Sequence, residues 1–136
     1  MKTTENGQDI WKGERLETHI YNEVAVEHLH RYAITMELVK GKKVLDLASG
    51  EGYGSSLMAQ VASHVTGVDI SQEALDHARK KYLKSNLLFL QGSADNIPVE
   101  SNTIDIVVSF ETIEHHDKHE EMLLEIKRIL KSDGLL

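Results

Sequence analysis

Three glycines in the first half of the chain have the spacing of a ligand-binding loop. Gly50, Gly52 and Gly54 lie directly after a short apolar run and before a segment with helical spacing. Glycine lets the backbone turn tightly and approach a ligand, and the N-terminus of the following helix directs free N–H groups at it. The loop therefore predicts a site for a nucleotide-like ligand.

Two carboxylates near this loop narrow the choice of ligand. Asp69 ends the next apolar run, 23 residues after Asp46, where an acidic side chain can accept hydrogen bonds from both ribose hydroxyls. Such a carboxylate would serve NAD and S-adenosylmethionine (SAM) equally. Asp46 lies four residues before Gly50, where its charge would repel a pyrophosphate and attract the ammonium group of a methionine moiety.

The glycine spacing also fits the NAD fingerprint poorly, because the segment G-E-G-Y-G-S has no third glycine at the required position. Together with Asp46, this spacing favours SAM as the cofactor. An NAD-dependent oxidoreductase is the less favoured alternative.

Strands and helices alternate along the predicted fold that carries these residues. Four apolar runs predict β-strands, at 43–48, 64–70, 87–90 and 104–110. Helical spacing of apolar residues predicts helices over 20–39, 56–61 and 72–83, and one more after 117. Because the strands are apolar runs rather than strict alternations, we predict an α/β fold with a parallel sheet covered on both faces.

The last predicted helix begins at Asp117 as N-cap, with Glu120 as its capping-box partner, and Gly134 is its expected stop. Its predicted packing residues are Met122, Leu123, Ile126, Ile129 and Leu130. Residues 134–136 also resemble the start of another strand. A four-stranded sheet would expose the edge of its fourth strand, so we expect either a fragment or a partner, such as the second copy in a homodimer, that covers this edge.

Composition limits the function classes that remain. The chain of 136 residues has room for one domain, predicted over 40–136, preceded by an arm and covering helix over 1–39. Its net charge of −7 argues against unaided nucleic-acid binding. It has no cysteine, no apolar signal peptide and no membrane-spanning run, and the expected location is the cytoplasm.

Four segments together resemble the successive motifs of class I SAM-dependent methyltransferases of the methyltransferase type 11 kind. They are VLDLASGEGYG, GVDIS, GSADNIP and DIVVSFETIEH. The resemblance implies a Rossmann-like sheet of order 3-2-1-4 with helices on both faces, without the last three of the family's seven strands. It implies cofactor contacts by Asp46, Ala48, Ser49, Gly50, Glu51, Gly52, Asp69, Ile70, Ser93, Ala94, Asp95 and Phe110.

Within that resemblance, Asp46 and the backbone of Gly50–Gly52 would hold the methionine end of SAM. Asp69 would hold the ribose, and Ile70 would lie against the adenine. The sequence departs from the family at Ala48, where glycine is usual, which should narrow the loop without blocking it. It also has Ser93 where relatives often have aspartate, so the adenine amino group would meet either the Ser93 hydroxyl or the Asp95 carboxylate.

The segment FETIEHHDKHEE after the fourth strand is the second group of residues whose side chains could take part in catalysis or bind a metal. The resemblance places Phe110, Glu111 and Thr112 beside the transferred methyl group. The candidate catalytic residues are Glu111, His115 and His116, with either histidine as the general base for the acceptor.

One helical turn would also bring Glu111, Glu114 and His115 to the same side, where they could hold a divalent metal ion. This pattern is similar to the metal-binding segment of small-RNA 3′-end ribose methyltransferases and of ubiquinone-pathway O-methyltransferases. In the alternative, which we favour, the Glu–His pair only shapes the cofactor pocket and no metal is bound.

The N-terminal segment 13–33 resembles that of bacterial methyltransferases found with sugar-modifying enzymes. The alternative, which we favour, is a covering helix with its polar residues on the exposed face. The resemblance ranks sugar or small-molecule acceptors above protein or RNA. The sequence thus predicts a SAM-dependent methyltransferase with a small-molecule or glycan acceptor. The alternative is a SAM-binding module without activity of its own.

Overall fold

The computed structural model describes residues 30–31, 33–109 and 118–136. The chain divides into two compact units, Met1–Thr35 and Met36–Leu136, and every strand described belongs to the second. Residues 33–39 are helical, as predicted. Most of the predicted arm lies outside the described residues, so the division at residue 39 stays a prediction.

Five described strands form one parallel sheet in the order β3-β2-β1-β4-β5. The strands are β1 Lys43–Leu47, β2 His64–Asp69, β3 Leu87–Gln91, β4 Ile104–Val108 and β5 Leu130–Leu135. The helices that connect them are α1 Tyr53–Met58, α2 Gln72–Lys81 and α3 His119–Ile129. The predicted α/β class and the order of the first four strands are confirmed.

Each face of the sheet has its own apolar cluster, which explains why the strands are apolar runs. Along β1, Leu45 belongs to the cluster that includes Ile126 of α3. Its neighbour Val44 belongs to the opposite cluster with Met58 of α1. Successive side chains of a strand point to opposite faces, so a sheet covered on both sides requires apolar residues at nearly every position.

The end of the chain differs from its predicted structure. Helix α3 ends at Ile129, five residues before the predicted stop at Gly134, and Leu130 already belongs to β5. Leu123 was predicted to pack, but it is 50% exposed. The buried positions Met122, Ile126 and Ile129 define a narrow stripe of α3 that leaves Leu123 at its side.

Strand β5 also corrects the expectation of an exposed fourth-strand edge. It pairs with β4 through Ile104–Leu130 and Ile106–Leu135, with a register irregularity between these pairs. The β4 edge is therefore covered by this chain itself, and the reason for expecting a homodimer there is removed. The predicted N-cap Asp117 lies outside the described residues. No helix of the described ranges is long and apolar enough to cross a bilayer.

The loop between β1 and α1 depends on the two glycines at its tip. Gly52 has a φ of 91°, and a Cβ on it would lie 2.8 Å from the Phe89 ring and 2.9 Å from the Ala78 Cβ. Gly50 has a φ of 59°, but no described atom lies within 4 Å of the position of its Cβ. Gly52 is therefore restricted by packing as well as by its backbone, whereas Gly50 is restricted by its backbone alone.

We predict that Gly52→Ala lowers the free energy of unfolding by about 2–4 kcal/mol, because it adds overpacking against Phe89 to a left-handed backbone. The matched control Gly50→Ala carries only the backbone cost, about 1–2 kcal/mol. Urea denaturation of both variants measures the difference. Equal losses would show that the Phe89 contact does not restrict this loop.

Candidate functional site

The predicted site residues gather at the carboxyl ends of β1 and β2. Strand β1 has β2 on one side and β4 on the other, so the chain changes direction across the sheet at this strand. In open parallel sheets, ligands bind in the crevice at such a switch point. The glycine loop follows β1 here, and Asp69 is the last residue of β2.

The Asp69 carboxylate joins the turns that follow these two strands. One oxygen accepts a hydrogen bond from the Gly50 N–H at 2.8 Å, and the other accepts from the Ser71 N–H at 2.9 Å. The backbone N–H groups of Ala48 and Ser49 both donate to the Val68 carbonyl, at 2.8 and 3.0 Å. The loop is thus attached to the end of β2 before any ligand binds.

Asp46 is a buried carboxylate, with 5% of its surface exposed. One of its oxygens accepts a hydrogen bond from the Ser55 hydroxyl at 2.6 Å. The pKa of Asp46 is raised to about 6, chiefly by burial; the Ser55 hydrogen bond opposes this rise, and the nearby negative charge of Asp69 adds to it. The site therefore contains a carboxylate that lacks a compensating positive charge among the described residues.

This shift has a defined sign for stability. The folded chain holds the Asp46 proton more tightly than an unfolded chain, in which the pKa is 3.8. The contribution of Asp46 to stability is therefore fully present below about pH 4 and is lost as the pH rises through about 6. A cationic ligand at this carboxylate would remove the penalty at neutral pH.

A cavity of about 180 Å³ lies beside the glycine loop. It is lined by Leu47, Ala48, Val68, Asp69, Ile70, Gly92, Ser93 and Ala94. Five of the predicted cofactor-binding residues are in this lining: Ala48, Asp69, Ile70, Ser93 and Ala94. Ile70 is 71% exposed at the rim, so it offers an apolar surface that a flat base could cover.

Two positions in this lining have unusual backbone requirements. Ala48 has a φ of 66°, which glycine adopts at little cost and which agrees with the glycine usual in the resembled family. A Cβ on Gly92 would lie 2.5 Å from the Pro98 ring, so only glycine fits there. The wall opposite Ile70 is therefore packed closely against the turn that follows it.

The Asp95 carboxylate, one of the two candidates for the adenine amino group, bonds groups of the protein itself. Its carboxylate accepts a short hydrogen bond from the Ser93 hydroxyl and lies 3.3 Å from the Lys118 ammonium. These contacts, first the Ser93 hydrogen bond and then Lys118, hold the pKa of Asp95 below its usual value. Of the two candidates for the adenine amino group, only Ser93 lines the cavity.

Other predicted residues lie apart from the cavity. The Glu51 side chain is 73% exposed and lies 3.8 Å from the His77 imidazole. It lines a separate open groove with Tyr53, His77, Lys80, Lys81 and Tyr82. Gly52 faces Phe89 in the protein interior. No group of metal-ligating side chains occurs in the part of the chain that the structure describes.

The predicted acceptor-side residues are not among the described ones. Phe110, Glu111, Glu114, His115 and His116 all belong to the segment 110–117, which lies outside the described residues. Their roles as cofactor-binding, catalytic or metal-ligating residues stay predictions.

Sequence reasoning missed several residues that the fold brings to the site. Ser55, the partner of Asp46, lies within helix α1, where a serine carries no signal of its own. Leu47 ends β1, Val68 is the penultimate residue of β2 and Gly92 directly follows β3, so the three residues meet at the same edge of the sheet.

Two buried hydroxyls at this edge of the sheet test whether the site fits a polar ligand. Among the described residues, the Oγ atoms of Ser49 and Ser109 have no hydrogen-bond partner. Ser49 packs over Gly67: a Cβ added to Gly67 would lie 2.9 Å from the Ser49 Oγ. Ser109 follows Val108, which pairs with Asp46 in the sheet. A buried hydroxyl without a partner indicates a position that a ligand or water completes, so the residues present fit a polar ligand.

Comparisons with known proteins agree with this geometry. Residues 45–136 match the family model described as a methyltransferase domain. Over 95 residues, 70% of this chain and 34% of the other, the chain is 35% identical to a Mycobacterium tuberculosis H37Rv protein named "Probable S-adenosylmethionine-dependent methyltransferase Rv3030". The phthiotriol/phenolphthiotriol dimycocerosates methyltransferase of M. tuberculosis H37Ra is 28% identical over 83% of this chain and 42% of its own length.

A solved structure shares the fold. The YcgJ protein of Bacillus subtilis superposes with a TM-score of 0.72 at 24% identity, covering 79% of this chain and 50% of that one. The chain spans less than half the length of the two curated relatives described above. The family model covers most of the chain, from the middle of β1 to the last residue. The chain therefore belongs to the class I methyltransferase domain family, whose cofactor is SAM.

Proposed function

We propose that this chain binds SAM at the carboxyl ends of β1 and β2 and transfers its methyl group to a small-molecule or glycan acceptor. One observation carries the proposal: the cavity beside the glycine loop is lined by five residues that the sequence assigns to the cofactor. Asp69 and the buried Asp46 lie at the same edge of the sheet, where their charges suit a ligand with hydroxyl and ammonium donors.

In this proposal the two walls of the cavity bind the adenosine part of SAM. The Asp69 oxygens already bond two backbone N–H groups, so the carboxylate is held in place for the ribose hydroxyls. Ile70 would cover one face of the adenine, and Ser93 and Ala94 would form the opposite wall. Burial of the exposed Ile70 side chain would contribute to affinity through the hydrophobic effect.

Asp46 would act at the methionine end. Burial makes the Asp46 charge costly, as its raised pKa shows, and the ammonium group of SAM would compensate that charge. Bound SAM supplies a methyl group on a positively charged sulfur, which is already a good leaving group. The chain's residues then have to align the acceptor and accept its proton. We assign the second role to His115 or His116, and Glu111 is the third candidate catalytic residue.

The acceptor class rests on separate support. The net charge of −7 disfavours an RNA acceptor. The N-terminal segment 13–33 resembles that of enzymes found with sugar-modifying proteins, and one relative is named for methylation of phthiotriol and phenolphthiotriol dimycocerosates. These observations favour a small-molecule or glycan acceptor.

The second candidate is a SAM-binding module without turnover of its own. The chain spans 34% of one curated relative and 42% of another. Release of S-adenosylhomocysteine (SAH) in the presence of pooled sugar and small-molecule acceptors distinguishes the two. SAM binding without any SAH release would favour the module.

We predict that Asp69→Ala weakens SAM binding by about 1.5–3 kcal/mol, because it removes charge-assisted hydrogen bonds to the ribose and releases the Gly50 N–H. Isothermal titration with SAM, SAH and NAD measures the change. The matched control is Asp76→Ala, which removes the same charge from the exposed side of α2 and should leave affinity unchanged.

An unchanged dissociation constant for Asp69→Ala would contradict the ribose assignment. Tight NAD binding without any response to SAM would contradict the proposed function as a whole, since a pyrophosphate beside buried Asp46 should be repelled.

We also predict that SAM affinity rises with pH between pH 5 and 7. Asp46 has a pKa of about 6 and binds the ammonium group only when ionised, so protonation competes with the ligand below that value. The limiting slope is about tenfold in affinity per pH unit. Because other groups can also respond to pH, the measured quantity is the difference between wild type and Asp46→Asn.

Asp46→Asn should bind SAM more weakly at pH 7 and approach the wild-type affinity at pH 5. Parallel pH profiles of the two proteins would show that Asp46 does not meet the ammonium group.

A further inference from the structure

Helix α3 holds the turn that follows the cavity wall. The Ile97 N–H donates to a Glu125 carboxylate oxygen at 2.8 Å, and the Ile97 carbonyl accepts from the Arg128 guanidinium at 2.9 Å. Both backbone groups of one residue are thus bonded by two side chains of α3, 28 and 31 residues further along the chain. Ile97 lies outside the strands of the sheet, and Glu125 and Arg128 bond the backbone N–H and carbonyl that a neighbouring strand would otherwise bond.

The two side chains also bond each other. The Arg128 Nε donates to one Glu125 oxygen at 2.8 Å and an outer guanidinium nitrogen donates to the other at 3.0 Å, in the bidentate geometry of an arginine fork. The Arg128 side chain is 34% exposed and the Glu125 side chain is 19% exposed. The guanidinium holds the pKa of Glu125 below its usual value, so the pair is ionised at neutral pH.

The position of Ile97 determines the position of the cavity wall. Ile97 is 2% exposed and belongs to the same apolar cluster as Ala94, which lines the cavity three residues earlier. The next residue, Pro98, packs against Gly92 at the other end of the wall. A shift of Ile97 would therefore be transmitted to Gly92, Ser93 and Ala94.

A second contact between α3 and this turn is weaker. Lys118 at the start of the helix lies 3.3 Å from Asp95, but its side chain is 60% exposed. Exposed ion pairs contribute little because water screens them and the long side chain loses freedom. Among the described residues, the Glu125–Arg128 pair therefore makes the less exposed polar attachment of this turn to α3.

We propose that Glu125 and Arg128 are positioning residues for cofactor binding, which hold Ile97 and thereby keep Gly92, Ser93 and Ala94 at the distance that the adenine requires. They do not line the cavity, so they act only through the turn. The inference rests on the proposed function, because the wall matters only if adenosine binds there.

The test combines three measurements on wild type, Arg128→Ala and Glu125→Gln. They are the dissociation constants for SAH and for adenosine, the hydrogen exchange of the Ile97 amide, and the free energy of unfolding. We expect both constants to rise by about tenfold in Arg128→Ala, by the same factor for both ligands since both carry the base. The Ile97 amide should exchange faster in both variants.

Glu125→Gln keeps the shape of the side chain and one acceptor oxygen, so it should fold and show a smaller rise in both constants. Lys127→Ala is the matched control, because Lys127 is an exposed cation on the same helix beside Arg128. It should leave both constants and the Ile97 exchange rate unchanged.

If Glu125 and Arg128 had a purely structural role, their substitution would lower the free energy of unfolding while the folded variants kept their affinity for SAH and adenosine. Unchanged constants for SAH and adenosine in variants with faster Ile97 exchange would therefore overturn this inference alone. A wild-type chain that binds neither ligand would overturn the proposed function, and the inference with it.

Discussion

The site depends on the contact by which the Asp69 carboxylate bonds two turns at once. It accepts from Gly50 in the first turn and from Ser71 in the second, at 2.8 and 2.9 Å. A carboxylate held by two backbone donors loses little side-chain freedom when a ligand binds, so more of the binding energy is retained as affinity. The same contact keeps the glycine loop in the left-handed turn that leaves open space beside Gly50. The Asp69 carboxylate thus both fixes the glycine loop beside the cavity and is positioned for the proposed ribose contact.

In the proposed function, the second carboxylate would make the site selective for a cationic ligand. Asp46 is buried, its hydrogen-bond partner Ser55 is a neutral hydroxyl, and the nearby charge of Asp69 is of the same sign. An anionic ligand would add to this unfavourable arrangement, whereas a cationic one would relieve it. This is the physical reason why a Rossmann-like sheet with a glycine loop is proposed to take a sulfonium cofactor rather than a dinucleotide.

The far wall of the cavity depends on the end of the chain. Helix α3 packs on the sheet through Met122, Ile126 and Ile129, and β5 then pairs with β4. Side chains of α3 bond the turn at Ile97, so the helix that leads into β5 also contacts the wall against which the adenine is proposed to lie. Fold stability and cofactor geometry are therefore connected through α3.

The sequence by itself determined the first four strands and the glycine loop, because apolar runs and glycine spacing are local signals carried by adjacent residues. It placed Asp46 within β1, Gly50 in the loop that follows β1, and Asp69 at the end of β2, for the same reason. Only the tertiary structure decided that Leu123 is half exposed, that β5 covers the edge of β4, and that Ser55 bonds Asp46. It alone brought Glu125 and Arg128 to Ile97, and it alone raised the pKa of Asp46. These outcomes depend on burial and on contacts between distant residues, which are set by how the helices pack on the sheet and which no local pattern specifies.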